Sequence, residues 1–483
     1  MLRTLGIGPW ILVGVLSACG DDAGSTTGEP ERDAGAGGTP HARTDGGAGT
    51  HAELWSPGHV LATLAEPGAR GLLDLRGLIH EHSVHSHDAC DEKPRLADGS
   101  VDLQCLEDFR EGMCASRHDF IMLTDHDTYF AMTEFPETLL YDEKRGDELV
   151  ERNGAPVANR AACPDAPSVL ITAGCECGHM MHVGMDGHLS DRSLYTPMTN
   201  DAIDEVKATG GGVALLSHTE EHSVDELATL PIDGFEMYNI HANLLMDLSR
   251  VVPVLAKLSD PKALLHPDLL IMPMITEDPR YVDTWGKVLA RGVHRVTTMG
   301  TDAHRNAIRV MAPDGERVDS WRRLNIWFSN HLLVEPEADG TWDDRQLESA
   351  LRGGRLYGVF EYLGYAEGFD YHAAAGDKTH EMGDEVSLAD APKLRVTTPR
   401  VRGLDADADP PELTLRLLRA TADGWEEVAT SANDLDVTPN KPGAYRAEVR
   451  MRPKHLRAYL NDFDALADQD FVWIYSNPIY VVE

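Results

Sequence analysis

The sequence predicts an α/β fold: a β/α barrel with its chemistry at one mouth, followed by a smaller all-β region. Three observations predict it. Short apolar runs end, one after another, on His, Asp or Glu. Segments of helical period lie between those runs. From about residue 366 that alternation stops, and short strand-like runs divided by Pro, Gly and Asp take over.

The elements follow in order. Leu72 to Ile79 is a mostly apolar run that ends at His80-Glu81-His82. Val101 to Ser116 has helical period, with Leu103, Leu106, Phe109 and Met113 on one face. Phe120 to Thr124 ends at Asp125-His126, and Val169 to Ala173 runs up to Glu176. A helix over Asp201 to Thr209 follows cap-type Thr199 and Asn200 and stops at Gly210-Gly211-Gly212. Val213 to Ser217 ends at His218, and Val296 to Met299 ends at Asp302-Ala303-His304. Asn243 to Leu258 and Val282 to Ala290 are also helical in period, with Pro253 expected to kink or shorten the first. Continuous apolar runs suit strands buried on both faces, and polar groups at their C-terminal ends form the active face of a β/α barrel. Trp342 to Leu351 reads as a last helix and Arg355 to Tyr362 as a strand. Leu394 to Thr397, Leu413 to Leu418, Ala444 to Val449 and Phe471 to Tyr475 then suggest a β-sandwich-like domain over residues 366–483, after a barrel over 54–365.

The strand-end residues are metal donors. Residues i and i+2 of a strand point to one side, so His80 and His82 can grip one ion. Asp88 lies far enough on to turn back and hold a second. With His126, Glu176, His179 or His182, His218, Asp302 and His304 they point to a polynuclear hydrolytic centre of zinc, manganese or iron.

Composition narrows the partners. The 483 residues carry 43 Lys and Arg against 80 Asp and Glu, a formal charge of −37. Nucleic acid and anionic membrane surfaces are disfavoured, because phosphate binding normally needs clustered cations. Small phosphoesters stay open, since bound metals supply local positive charge. Arg3 followed by the short apolar run Ile7 to Val15 resembles an export signal, and Leu16-Ser17-Ala18-Cys19 resembles a bacterial lipobox. That resemblance implies cleavage before Cys19, a lipid anchor on its thiol, and a cell-envelope location facing periplasm or exterior. Residues 20–53 are rich in Gly, Ala, Asp and Thr and read as a flexible tether. No later run is apolar enough to be transmembrane. Six cysteines follow Cys19, and export makes disulfides possible. Cys105 and Cys114 fall on opposite helix faces and should not pair with each other. Bridges from Cys90, Cys105 or Cys114 to Cys163, Cys175 or Cys177 are expected, with connectivity open.

Four motifs resemble those of the PHP (polymerase and histidinol phosphatase) metallohydrolases. Ile79-His80-Glu81-His82-Ser83 through Ser86 and Asp88, Leu123-Thr124-Asp125-His126-Asp127, Gly174-Cys175-Glu176 followed by a His, and Gly300-Thr301-Asp302-Ala303-His304 cover about residues 75 to 310. The resemblance implies a distorted seven-stranded β/α barrel of TIM-like type. It implies that His80, His82 and Asp302 hold a first metal, Glu176 bridges to a second completed by Asp88 and His126, and His218, His304 and His179 or His182 hold a third. His182 shares the Glu176 face if the strand continues; a break at Gly178 reverses that choice. A His218-Thr219 pair stands where the family often has His-Pro. The ending Tyr475 to Tyr480 is similar to larger secreted members, including carbaryl-type carbamate hydrolases.

The implied chemistry is attack by a metal-bridged hydroxide on a phosphate mono- or diester, with a carbamate or carboxylic ester as the alternative small-molecule substrate. A non-catalytic, metal-bound surface module is a further alternative. Asp125 either orients His126 and shuttles protons or caps a loop. Glu236, Asn239, His241 and Arg305 are expected in the substrate shell, and Arg309 could also face an anion. His85 and His87 are solvated loop residues or touch substrate, and Trp321, Trp327 and Trp342 are core or interface aromatics.

Overall fold

Nearly unbroken apolar strands need cover on both faces, and a closed barrel wrapped by helices provides it. The computed structural model describes residues 54–60, 68, 70–246 and 248–483, so the expected signal, lipobox and tether lie outside the described residues. Seven strands close the barrel: β1 (Leu73–Glu81), β2 (Phe120–Leu123), β3 (Ala166–Cys177), β4 (Met180–Met185), β5 (Val213–Leu216), β6 (Gly234–Asn239) and β7 (Val296–Ala303). Each pairs with the next, and β7 pairs with β1. All contacts are parallel except those of β4, which runs antiparallel to both neighbours. A strand absent from the expected set, β4 follows β3 through a tight turn at Gly178, whose φ of 62° suits glycine. The result is a mixed α/β fold around a closed seven-stranded barrel with one reversed strand.

The barrel interior is apolar. Leu75, Phe120, Leu170, Met181, Leu215 and Val296, one from each of six strands, belong to one buried cluster, which Leu347 and Leu351 also join. Each such fully buried side chain contributes roughly 1.5–3 kcal/mol. The outer faces carry the helices. Among these, α1 (Leu103–Ser116) starts where the Asp102 side chain accepts the backbone N–H of Gln104 and Cys105. It buries Cys105, Phe109 and Met113, whereas Leu103 is 73% exposed, so the buried stripe is rotated from the expected one. A disulfide from Cys105 to Cys90 lies on that face. Later helices include α2 (Asn200–Glu205), α3 (Ile240–Met246), α4 (Leu248–Lys257), α5 (Pro279–Leu289) and α6 (Asp344–Arg352). Pro253 sits inside α4. Trp321 and Trp327 are core residues, as expected. No helix of the described residues is long and apolar enough to cross a membrane.

The sheet continues beyond the barrel. Strands β8 (Ser329–Val334), β9 (Leu356–Val359), β10 (Glu412–Thr421), β11 (Gly424–Ser431), β12 (Gly443–Arg452) and β13 (Phe471–Ser476) follow. Hydrogen bonding runs from β1 to β8, then β9, β13, β12, β10 and β11, each step antiparallel. A second, four-stranded sheet lies nearby, where the Tyr371 hydroxyl donates to the Tyr445 carbonyl of β12 at 2.7 Å. Helix α5 is the wedge between the two parts. A Cβ on Gly286 would stand 2.2 Å from the Gly424 carbonyl oxygen, so helix and strand touch backbone to backbone. The Arg446 guanidinium lies 4.6, 4.5 and 5.0 Å from the rings of Trp285, Trp425 and Tyr475.

The six cysteines pair as Cys90–Cys105, Cys114–Cys163 and Cys175–Cys177. Cys105 and Cys114 are not paired with each other, as the helix geometry required. Only Cys114–Cys163 belongs to the expected set of bridges. The other two are local closures: α1 faces the loop carrying Cys90, and two alternate strand residues lie on one side of β3.

A buried polar network ties β1 to β8 and β9. His331 Nδ1 lies 2.8 Å from an Asp74 oxygen, the Tyr357 hydroxyl donates to the other at 2.6 Å, and Arg76 donates to Glu361 at 2.5 Å. Burial pushes the His331 imidazole down, but Asp74 and Glu361 carry it up to about 9. A folded-state value above the ordinary 6.5 stabilises the fold below that value, and the gain disappears as pH rises through 9. Denaturation midpoints at pH 6 and pH 9 should therefore differ less in His331→Gln than in the parent chain, and the parent's advantage should be largest at pH 6.

Candidate metal centre

A bulge aims the first motif inward. Ile79 pairs with Met122 of β2 and Glu81 with Leu123, so β1 carries one extra residue there, and His80 takes a φ of 75°. Interior parity thus passes from Ile79 to His80 and His82, while Glu81 accepts the Thr301 hydroxyl at 2.6 Å behind the strand. Burial pushes the Glu81 carboxyl up to about 8. His218 and Asp302, at the ends of β5 and β7, also have positive φ, 49° and 53°. Three such residues converging on one point is backbone strain gathered at a site.

Four buried donors meet there. His80 Nε2 lies 3.3 Å from a Glu176 oxygen and 3.4 Å from Asp302 Oδ1; His82 Nε2 lies 3.5 and 3.3 Å from the same two oxygens. Four of the separations among these donor atoms are thus 3.3–3.5 Å, and all lie within 4.8 Å of one another, a spacing that one bound ion can bridge. His80 Nε2, His82 Nε2 and Asp302 Oδ1 are buried and make no hydrogen bond. Orphaned lone pairs aimed at one point are what a cation satisfies, so the donor set fits a metal ion.

The other side of each donor is held. His80 Nδ1 lies 2.6 Å from Glu236 Oε1, and only an Nδ1–H can donate there, which leaves Nε2 as a lone pair. His82 Nδ1 lies 2.8 Å from Ser86 Oγ, and that hydroxyl donates to Asp125 at 3.0 Å. It therefore accepts from His82, fixing the same tautomer, and accepts the His126 N–H at 2.9 Å. Asp125 also takes the Ser83 N–H and hydroxyl at 2.6 and 2.7 Å. Of its two expected roles it fills the loop-capping one and acts on His82 through Ser86. Ser217 donates to Glu176 Oε1 at 2.5 Å.

A further donor group adjoins, and His218 stands beside Glu176. Asp88 lies 3.5 Å from His126 Nε2 and 3.3 Å from His304 Nε2, and those two nitrogens are 3.2 Å apart. His218 Nε2 lies 3.4 Å from Glu176 Oε1, with the His179 ring 5.6 Å away centroid to centroid. Glu176 thus faces both the four-donor set and His218. The expected grouping changes: His304 stands with Asp88 and His126, not with His218. His182 does not join. The β3–β4 register sets Cys175 opposite His182 and Glu176 opposite Met181, so His182 shares the cysteine face, where its Nε2 meets the Tyr195 carbonyl. The reversal at Gly178 leaves His179 at the turn beside His218.

Electrostatics agree. Burial raises the Glu176 and Asp302 carboxyls, yet the surrounding imidazoles hold both well below the usual carboxylate range. Burial lowers His126, while Asp88 and Glu176 carry it up to about 9. Burial also holds His304 down to about 3, and with Nδ1–H donating to the Asp302 carbonyl its Nε2 lone pair stays available. A cluster whose carboxylates stay ionised under such burial is one that stabilises positive charge.

The expected substrate shell is mostly a supporting layer. Glu236 is fully buried behind His80, and its other oxygen takes the His218 N–H and the Asn239 amide, each at 3.2 Å. Asn239 also donates to Asp302 Oδ2 at 3.3 Å. Only His241 stands at the rim, with Nδ1 3.3 Å from Asp302. Arg305 turns to Asp108 at 2.8 Å, and Arg309 pairs with Asp91 and Glu92. His85 is buried rather than solvated, while His87 is exposed beside the His126 ring. No role was read from the sequence for Ser86, Ser217, Glu220 or Tyr281. The first two sit beside donors in the motifs, which was their only signal.

Comparison with protein-family models, curated proteins and solved structures finds no match.

His82→Ala should cost at least one bound metal equivalent, read by mass spectrometry of the purified chain. Ser86→Ala should weaken metal affinity about 10–100-fold with the ligands intact. His182→Ala should leave metal content unchanged, whereas His179→Ala should lower it.

Proposed function

We infer that this chain is a metal-dependent hydrolase of the PHP type, acting on a phosphate mono- or diester. The observation that carries the reading is the buried cluster of His80, His82, Glu176 and Asp302, with its unsatisfied lone pairs and fixed tautomers. Asp88, His126 and His304 form a second donor group, so two divalent ions, zinc, manganese or iron, fit the residues; a third, beside His218, rests on the resemblance, since the nearby His179 turns its Nδ1 to His222 Nε2 at 3.0 Å. Bound ions of this kind activate water at neutral pH and polarise the ester oxygen, and paired ions clamp the attacking and leaving oxygens of an in-line displacement. The chain's own residues do the rest. Glu236 and Ser86 hold His80 and His82 with Nε2 as the lone pair. Asp125 fixes the Ser83–Ser86 loop. The half-open rim formed by Asp88, His126, His218 and His241 admits substrate.

A second reading, a carbamate or carboxylic ester, is favoured by a specific observation. Arg305, Arg309 and Arg317, the arginines just beyond the last motif, are all paired with carboxylates. Recognition of a phosphate would then rest on the metals alone. The surface-module reading is opposed by the filled donor set and its supporting layer.

The three disulfides support an oxidising compartment, consistent with the envelope location and Cys19 anchor read from the sequence. The finer fold reading proposed here is a distorted (β/α)7 barrel with a β-sandwich-like domain from residue 366.

Turnover of nitrophenyl phosphate or bis-nitrophenyl phosphate, abolished in His80→Ala, is the expected result. Turnover confined to nitrophenyl acetate or naphthyl methylcarbamate would transfer the assignment to the second reading. No turnover of any of the four by a metal-loaded chain would count against both.

A further inference from the structure

His218 leaves β5 in the left-handed region and presents Nε2 to Glu176. Its other nitrogen, Nδ1, lies 3.2 Å from Glu220 Oε1. An Nδ1–H donating to that carboxylate leaves Nε2 as the lone pair, the arrangement Glu236 imposes on His80. The second Glu220 oxygen accepts the Tyr281 hydroxyl. Tyr281 is 1% exposed in the first turn of α5, and Glu220 links it to His218. The same helix is gripped by the C-terminal strands. Just before it, Glu277 takes the Tyr475 hydroxyl at 2.8 Å and pairs with Arg450 at 2.8 Å. One turn beyond Tyr281, Trp285 packs edge-on against Trp425, whose indole N–H donates to the Val282 carbonyl at 2.8 Å. Gly286 lies against Gly424 with no room for a Cβ.

Resting on the reading of the cluster as a metal centre, we propose that Glu220 and Tyr281 are positioning residues for His218, and that α5 transmits the seat of the C-terminal sheet to that histidine. The C-terminal strands then serve the centre by fixing the helix that sets one ligand's tautomer and direction. Removing the Tyr281 hydroxyl frees the Glu220 carboxylate to turn from His218. Removing the Glu220 charge loosens the imidazole itself. The ion beside His218 should feel both changes, and the His80–His82–Glu176–Asp302 position neither.

The test uses the full chain loaded with cobalt(II), with affinities from chelator competition, the visible cobalt spectrum and the melting temperature. Tyr281→Phe and Glu220→Gln should each weaken one ion about tenfold or more and alter its spectrum, while the tightest ion and the melting temperature stay near the parent values. The double variant should weaken that ion no more than the stronger single one, because both act through one contact. Trp425→Phe, which keeps an aromatic ring but removes the indole N–H and part of the packing on Trp285, should weaken the same ion a few-fold. Unchanged affinities in Tyr281→Phe and Glu220→Gln would overturn the proposal, as would a loss spread over all ions in step with lowered thermal stability. An unchanged Trp425→Phe beside affected Tyr281→Phe would overturn the role of the C-terminal sheet. A parent chain that binds no cobalt would remove the metal-centre reading and this proposal with it.

Discussion

Two buried carboxylates and two buried imidazoles with lone pairs turned on one point are costly to fold without a cation among them. Removing Glu176 and Asp302 from water is unfavourable unless opposite charge and hydrogen bonds replace the lost solvation. The rest of the fold answers to that constraint. A bulge and three left-handed residues aim the donors, Glu236 and the Ser86–Asp125 pair fix their tautomers, and a closed barrel filled with Leu, Ile, Phe and Met holds the strand ends in register. An apolar floor beneath the donors keeps water from relieving the charge from below, which strengthens every interaction at the mouth.

The strained positions are informative. His80, His218 and Asp302 would each be more comfortable with φ below zero, yet the chain holds a donor at each. Strain of this kind persists only where the surroundings over-determine it. Hydrogen bonds on both sides do so here: the His218 N–H goes to Glu236, and Thr219 donates to the Glu236 carbonyl at 2.6 Å. Glu236 therefore touches two donor groups at once through opposite oxygens, binding β1, β5 and β6 into a single mouth.

Much of this was legible from the sequence. Each apolar run that ended on a donor is a barrel strand with that donor at its C-terminal end, because burial on both faces writes a continuous apolar signature. The misreadings trace to information that spacing does not carry. Whether His179 or His182 faces Glu176 depends on chain reversal at Gly178, and a reversal exchanges the parity of every following residue. The substrate shell was misjudged for a related reason: Glu236 and Asn239 lie one layer behind the ligands, and depth is invisible to a one-dimensional pattern. Pairings such as Glu220 with Tyr281, sixty-one residues apart, come from packing of α5 against the barrel and leave no local trace.

The account is tested most directly by X-ray absorption at the metal edge of the purified, zinc-loaded chain. It predicts a first shell of nitrogen and oxygen at about 2.0–2.1 Å with imidazole scattering behind it, in at least one tightly held equivalent. A chain that retains no ion, or an ion in a shell without imidazole, would contradict it.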